Sequence, residues 1–262
     1  MSVRTSYEPG TPSWVDLMTP SRESATAFYG ALFGWTFEEV SDPDGNVVYT
    51  MCFSGGKNVC GLGELSPEMQ ASGMPAAWTT YVATADVDET SAKVETAGGT
   101  VMMPATQVFE AGRMAMYLDP TGAAIAAWEA GEHIGAELVN EPYGFGWNEL
   151  NTRDTQRAVE FYEAVFGWKG RGVAGPMNYT EWLLGDQSVG GMMPMPEMVP
   201  AEVPAHWITY FMVEDADATV AKLGELGGAV LNPAMDIEVG RFAVVADPAG
   251  AVFCVMKLAQ PQ

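Results

Sequence analysis

The chain is poor in basic residues and in cysteine. Its 34 acidic residues outnumber 12 basic ones, for a formal net charge of -22. A field of that sign opposes contact with phosphate backbones or anionic lipid, so we expect no nucleic-acid or membrane partner. The three cysteines, Cys52, Cys60 and Cys254, cannot all pair internally and none lies in a CxxC spacing. This usage favours a reducing cytoplasm.

Several sequence signals are also missing. No apolar run approaches the ~20 residues that a membrane-spanning helix needs, and the N-terminus has no apolar signal region, so we expect neither export nor insertion. The glycine-rich pieces match neither a phosphate-binding loop nor a dinucleotide fingerprint, and there is no Gly-x-Ser-x-Gly elbow. With 48% hydrophobic and 18% charged residues, the composition is typical of a globular protein.

What the chain does contain is an internal repeat. Residues 14–35 run from Trp-Val-Asp-Leu to Phe-Tyr-x-Ala-Leu-Phe-Gly-Trp, and residues 147–168 run from Trp-Asn-Glu-Leu to Phe-Tyr-x-Ala-Val-Phe-Gly-Trp, an offset of 133. Two later blocks, beginning at Trp78 and Gly112, recur at offsets of 129 and 128. Three blocks in one order with slowly drifting offsets indicate two homologous modules.

Each module reads as two similar units. Residues 12–19 alternate like a strand, Ser21 is suited to cap a helix that ends at Gly34, and three strands follow before the order restarts near residue 76. Each unit is therefore strand, helix and three strands. The Gly-, Asn- and Pro-containing connector predicts a first module over 1–131, a linker over 132–144 and a second module over 145–262.

These motifs, in this order and twice over nearly the whole chain, resemble the vicinal oxygen chelate superfamily of glyoxalase I, extradiol dioxygenases and bleomycin resistance proteins. The resemblance rests on three motifs: Phe-Tyr-x-x-x-Phe-Gly-Trp, the helix start Val-Glu-Asp-Ala-Asp at 213–217, and Asp-Pro-x-Gly-Ala. The resemblance implies an α+β fold of tandem glyoxalase-like modules, each of two paired βαβββ units forming a half-open curled sheet, or cup. More narrowly, the chain is similar to two-module actinobacterial proteins labelled hydroxylases or glyoxalase-like, with relatives in aromatic polyketide pathways.

The resemblance also gives positions for metal ligands, normally His and Glu. They fall on Trp14 and Trp147, Thr79 and Ile208, and Ala126 and Cys254. Five of these six cannot act as ordinary ligands, so we expect no metal and no cofactor. A non-standard metal site remains an alternative, with Asp16, Glu149 or His206 as donors.

Strand alternation places the other candidate residues. If Trp14 points into the first cup, Asp16 and Met18 do as well, and Glu149 and Asn151 accompany Trp147 in the second. Thr79, Tyr81 and Tyr210 share these faces, whereas Trp78 and Trp207 are expected to pack beneath the helices. The inward carboxylates either pair with Arg113 and Arg241 and fix the sheet, or act as general bases beside hydrogen-bonding tyrosines.

Methionine is the remaining unusual feature. Met192 and Met193 precede a Met- and Pro-rich connector, and Met69 and Met74 lie in the matching connector of the first module. Such loops are placed to cross the cup mouths, where thioethers suit a flat aromatic guest. The alternative is that these side chains fill gaps in the core.

Two classes of function follow. The first is a metal-independent protein that binds a small aromatic ligand, such as a polyketide antibiotic, in a cup lined by Trp, Met and Tyr, with His206 as a further contact. The second is an enzyme of aromatic polyketide metabolism, an isomerase, cyclase or hydroxylation-linked protein, that uses Asp16 or Glu149 as base and Tyr81 or Tyr210 to steady an oxyanion. A metal-dependent lyase or dioxygenase is a third possibility. Since one chain supplies both modules, we expect a monomer or weak homodimer.

Overall fold

A computed structural model describes residues 3–175 and 178–259 as two similar eight-stranded mixed sheets with helices on one face. The elements of the first half are β1 (Pro12–Thr19), α1 (Arg22–Phe33), β2 (Thr36–Ser41), β3 (Val47–Ser54), β4 (Lys57–Glu64), α2 (Pro67–Ala71), β5 (Ala77–Thr84), α3 (Val87–Thr96), β6 (Thr100–Val108), β7 (Gly112–Leu118) and β8 (Ala124–Ala130). The short helix α2 was not predicted.

The second half follows a connector without a helix and repeats this order, except that residues 195–205 form no helix in place of α2. Its elements are β9 (Phe145–Thr152), α4 (Thr155–Phe166), β10 (Lys169–Gly172), β11 (Thr180–Leu184), β12 (Gln187–Pro194), β13 (His206–Met212), α5 (Ala216–Glu225), β14 (Ala229–Ile237), β15 (Gly240–Ala246) and β16 (Val252–Leu258). No helix in the described part of the chain is long and apolar enough to cross a membrane.

The sheet order confirms the predicted α+β architecture of paired βαβββ units. The first sheet runs β2-β3-β4-β1-β5-β8-β7-β6 and the second runs β10-β11-β12-β9-β13-β16-β15-β14. In each sheet the first strands of the two units pair antiparallel at the centre, β1 with β5 and β9 with β13. Both sheets stay open, so each forms the curled surface of a cup.

Local sequence fixes the ends of the helices. The Ser21 hydroxyl accepts from the backbone N–H of Ser24 at 3.2 Å, and Gly34 ends α1 at a φ of 73°. Asp154 and Gly167, at a φ of 74°, do the same for α4. Side-chain oxygens satisfy free N–H groups at a helix start, and glycine adopts the left-handed conformation at a helix end without a steric penalty.

The two sheets face each other through their helices, in what we call the helix layer. Phe33 of α1 packs against Phe211 and Phe253 of the second sheet, and α4 shares one core cluster with Val82 and Ile125 of the first. As predicted, Trp78 and Trp207 lie in this layer, where each meets an aromatic ring of a helix edge-on. The concave faces of the two sheets therefore point away from each other.

Two reciprocal hydrogen bonds cross the helix layer. Tyr29 of α1 donates to Asp247 Oδ2 at 3.0 Å, and Tyr162 of α4 donates to Asp119 Oδ2 at 2.8 Å. Both aspartates come from the Asp-Pro-x-Gly motif of the opposite module, where they also accept from backbone N–H groups of their own turn. This motif is thus a contact between the modules as well as a turn.

We predict that Tyr29→Phe and Tyr162→Phe each lower the free energy of unfolding by about 1–3 kcal/mol, because each leaves a buried carboxylate oxygen short of a donor. Urea denaturation followed by circular dichroism measures this. The matched control is Tyr117→Phe, whose hydroxyl contacts only Ser91 in its own module, and it should cost less. Equal effects at Tyr29 and Tyr117 would contradict the reciprocal contact.

Candidate functional site

The central strands bring the predicted residues of the first cup together. Strand β1 presents Trp14, Asp16 and Met18 to the concave face, and the antiparallel register places Tyr81 opposite Trp14 and Thr79 opposite Asp16. Trp14, Asp16 and Tyr81 are buried, with 4–6% of their surface exposed. The alternation of β1 thus puts a carboxylate on a nearly dry surface.

Two phenols hold this carboxylate. Asp16 Oδ2 accepts from Tyr81 Oη at 2.9 Å and from Tyr49 Oη at 3.1 Å, and Tyr49 Oη itself accepts from Trp14 Nε1 at 3.1 Å. Burial raises the pKa of Asp16 to about 6, and the hydrogen bonds from Tyr81 and Tyr49 oppose part of the rise. The other oxygen, Oδ1, is buried and has no hydrogen-bond partner among the described residues.

A glycine on the next strand lets Tyr49 reach the site. Gly61 pairs with Asp16 on β1 and with Met51 on β3, and a Cβ atom at Gly61 would lie only 2.0 Å from Tyr49 Oη. The tyrosine therefore crosses the strand where a side chain is missing. Sequence reasoning missed Tyr49, although the repeat contained the signal, since Tyr179 and Gly191 stand at the same spacing in the second module.

The second cup repeats the arrangement with altered chemistry. Trp147 Nε1 donates to Tyr179 Oη at 2.8 Å, and a Cβ atom at Gly191 would lie 1.8 Å from that oxygen. Glu149 Oε1 accepts from Tyr210 Oη at 3.2 Å and from Asn151 Nδ2 at 3.5 Å. Burial raises the pKa of Glu149, and interactions with Tyr179, Tyr210 and Asn151 oppose the rise.

The predicted pairing of the carboxylates with arginine is wrong. Arg113 contacts Asp88 at 2.7 Å and Glu129 at 3.4 Å. Arg241 contacts Asp217 at 2.7 Å and Asp236 at 3.1 Å. The reason is strand alternation: Arg113 pairs with Glu129, one position along from Trp128, so it lies on the opposite face of the sheet from the cup. Tyrosine hydroxyls, and not arginine side chains, are the hydrogen-bond partners of Asp16 and Glu149.

The methionines also differ from expectation. Met192 is 1% exposed and packs with Leu150 and Trp207 in the helix layer, so its predicted place in the cup is wrong. Met193 pairs with Asn151 and shares the concave side. The connector residues Met69 and Met74 are exposed.

The methionines that do line the first cup lie on strands. They are half-buried and lie on the same face as Trp14, Asp16 and Tyr81. Met51 on β3 is in the register row of Asp16, Met116 on β7 is in that of Trp14 and Tyr81, and Met18 on β1 and Met114 on β7 lie two residues from Asp16 and Met116 along their strands. The alternation Met114-x-Met116 in a predicted strand was the signal available. Their counterparts in the second cup are Asn151, Glu181, Phe242 and Val244.

Each histidine lies near one cup. His206 is the first residue of β13 and pairs with Asn151 of β9. Its Nδ1 is 3.0 Å from the Pro204 carbonyl oxygen. His133, in the connector, meets the ring of Trp14 edge-on with centroids 4.4 Å apart. Burial lowers the pKa of His133 to about 4, so it is neutral at pH 7. His133 was not among the predicted site residues.

The residues at the family's metal positions do not suit a metal ion. Trp14 uses its only polar atom on Tyr49, and Ala126 and Ile208 have no donor atoms. Burial raises the pKa of the Cys254 thiol, which opposes the thiolate form that binds metals. No group of three His, Cys, Asp or Glu suited to a metal occurs within residues 3–175 and 178–259.

Comparison with known sequences shows which family this chain resembles. The model of the Glyoxalase/Bleomycin resistance protein/Dioxygenase superfamily matches residues 11–127 and 144–255. A protein from Mycobacterium tuberculosis named as a putative glyoxylase, CFP32, is 46% identical over 267 residues, which cover 100% of both chains. The anthracycline biosynthesis protein DnrV of Streptomyces peucetius is 40% identical over 97% of this chain and 95% of its own.

Solved structures share the fold at low identity. The Mn(II)-bound glyoxalase from Novosphingobium aromaticivorans aligns with a TM-score of 0.65 at 15% identity, covering 95% of this chain and 82% of that one. The 2,3-dioxygenase LapB from Pseudomonas sp. KL28 aligns with a TM-score of 0.61 at 14% identity, covering 96% and 93%. With the family model matching both halves, the chain belongs to the Glyoxalase/Bleomycin resistance protein/Dioxygenase superfamily.

Proposed function

We propose that the first cup binds a small, planar aromatic molecule of the polyketide kind without a metal ion. The observation that carries this proposal is the ring of strand methionines, Met18, Met51, Met114 and Met116, around the Trp14, Asp16 and Tyr81 surface. Thioethers are flexible and polarizable, and they contact aromatic rings favourably. Ligand sites commonly combine such an apolar wall with few polar groups.

Side-chain mobility supplies access to this surface. The four methionines are half-buried, whereas Trp14 and Tyr81 beneath them are almost fully covered. Methionine has no branched carbon and several rotatable bonds, so it leaves or reshapes a covered position at low cost. A flat guest that displaces the methionines would gain contact with the rings below.

The comparisons support an aromatic polyketide as the guest. Two relatives at 40% and 41% identity are named anthracycline biosynthesis proteins, DnrV and DauV. Anthracyclines carry flat fused rings, which fit an apolar, aromatic surface. The relative CFP32, in contrast, is named for a glyoxylase, but the metal positions here carry Trp, Thr and Ala in the first cup.

A second candidate function is acid–base catalysis on the bound ligand. It is favoured by Asp16, which burial keeps near a pKa of 6 beside two phenols. A carboxyl group with a pKa near the working pH is an effective proton acceptor, and Tyr81 is placed to donate a hydrogen bond to a developing oxyanion. No metal takes part in this scheme.

We predict that Met51→Glu weakens binding of 2-hydroxyanthraquinone at least about tenfold, because it brings a second carboxylate onto the apolar wall. Fluorescence titration measures the dissociation constant. The matched control is Glu181→Met, the reciprocal exchange at the equivalent position of the second cup, which should leave affinity unchanged. Binding that is lost after chelator treatment, or that responds to Glu181→Met instead, would contradict the proposal.

Acid–base catalysis predicts that the protein accelerates deuterium exchange at the methylene group of anthrone, a flat ketone that equilibrates with its enol. Asp16→Asn should slow the exchange on bound anthrone at least about 100-fold while affinity changes little, because the base alone is removed. Proton NMR under nitrogen follows the reaction, with Glu181→Gln as control. Exchange no faster than with Asp16→Asn would exclude this second function.

The burial of the Asp16 carboxyl group should make the free energy of unfolding depend on pH. Burial raises the pKa of Asp16 in the folded protein to about 6, against an ordinary value of 3.8. The stability that Asp16 contributes is therefore fully present below pH 3.8 and is lost as pH rises through 6. We predict that the free energy of unfolding of the wild type minus that of Asp16→Asn falls by on the order of 3 kcal/mol between pH 4 and pH 7.

Denaturant titrations at a series of pH values measure this difference. His133, whose folded pKa is lowered to about 4, loses stability in the opposite direction as pH falls through its folded pKa, but it is present in both proteins and cancels in the subtraction. A difference that is independent of pH, or that grows as pH rises, would show that Asp16 is not held in a raised-pKa environment.

A further inference from the structure

The two oxygens of Asp16 are in unlike situations. Oδ2 accepts from both Tyr49 and Tyr81, at 3.1 and 2.9 Å. Oδ1 is buried and has no hydrogen-bond partner in the described chain. A buried acceptor without a donor is costly, and native structures rarely keep one without a reason. The first cup therefore contains an acceptor that the chain itself leaves open.

The carboxylate of the second cup has a further donor beside it. Asn151 lies two residues after Glu149 on the same face of β9 and donates at 3.5 Å to its Oε1, the oxygen that also accepts from Tyr210. The equivalent position in the first cup is Met18, which has no donor. No oxygen of Glu149 is left buried without a partner. The modules therefore differ at the residue two positions after the carboxylate, which adds a donor beside Glu149 and none beside Asp16.

Other nearby donors in the first cup do not reach Oδ1. The indole N–H of Trp14 is used on Tyr49. Thr79 pairs with Asp16 across the strands, yet its hydroxyl makes no hydrogen bond to the carboxylate. The side chains that complete the surroundings are thioethers, such as those of Met51 and Met116, and they donate no hydrogen bond.

We infer that the first cup recognises its aromatic ligand through a hydroxyl group of that ligand, a phenol or enol, which donates to Asp16 Oδ1. A hydroxyl suits the site better than an ammonium group, because the apolar wall offers no further acceptor for a buried cation. The inference rests on the proposed binding of planar aromatics and adds the ligand's chemical class. The second cup, in which neither oxygen of Glu149 is buried without a partner, lacks this preference.

The test compares two probes that differ in one methyl group, 2-hydroxyanthraquinone and 2-methoxyanthraquinone. Both offer the same flat surface, but only the first donates a hydrogen bond. At pH 7 the wild type should bind the hydroxy probe at least about tenfold more tightly, since a site with an open buried acceptor disfavours an analogue that lacks the donor. Fluorescence titration gives both dissociation constants.

Met18→Asn is the decisive variant, because it installs the donor of the second cup and keeps Asp16. It should abolish the preference for the hydroxy probe, so that the two dissociation constants agree within about twofold. Asp16→Asn should also abolish it, since the amide oxygen faces the phenols and its N–H group faces the ligand. Glu181→Gln, which changes a carboxylate of the second cup only, should retain the wild-type ratio.

The outcomes separate the two levels of the proposal. If the wild type binds both probes equally well, the hydroxyl inference is wrong and binding of planar aromatics stands. If neither probe binds, the proposed function fails and the inference fails with it. A preference that survives Met18→Asn and is lost in Glu181→Gln would move the recognition site to the second cup and overturn the inference.

Discussion

The helix layer between the two sheets is the constraint on which the rest of the molecule depends. Helix α1 of the first module covers aromatic residues of the second sheet, and α4 covers the first sheet in return. The bonds from Tyr29 to Asp247 and from Tyr162 to Asp119 fix the same exchange. Because each helix completes the core of the other module, the helix-bearing faces must meet, and the cups are left as the two surfaces free to vary.

That freedom explains how the modules keep one frame and differ in chemistry. In the helix layer Trp78 and Trp207 repeat, and in the cups Trp14, Tyr49 and Tyr81 repeat as Trp147, Tyr179 and Tyr210. Other cup positions differ in chemistry: Asn151 replaces Met18, and Glu181 replaces Met51. A substitution on the concave face does not disturb the close-packed layer behind it, where even one methylene matters.

Much of the fold could be predicted from the sequence, because the repeat fixes the order of elements and alternation fixes the faces of β1 and β9. Alternation along each strand was enough to predict that Trp14, Asp16 and Glu149 face the cups and that Trp78 faces the helices. Contacts between side chains on different strands were harder to predict from the sequence. Tyr49 reaches Asp16 by crossing a strand at Gly61, a contact that depends on the register of three strands and not on spacing along one of them. Arg113 is a different case, because alternation with Met114 along β7 already places it on the face away from the cup.

The buried carboxylate persists in both cups although a well-packed apolar residue of similar size would often be as stable or more stable. Its retention in the second cup has an internal account, since Tyr210 and Asn151 both donate to Glu149 Oε1 and neither oxygen of Glu149 is buried without a partner. In the first cup that account is incomplete, because Asp16 Oδ1 has no donor in the described chain and Met18 cannot supply one. The ligand hydroxyl that we propose for Asp16 Oδ1 would supply the missing donor from outside the chain. This difference between two copies of one frame is the reason that the proposal assigns the ligand to the first cup.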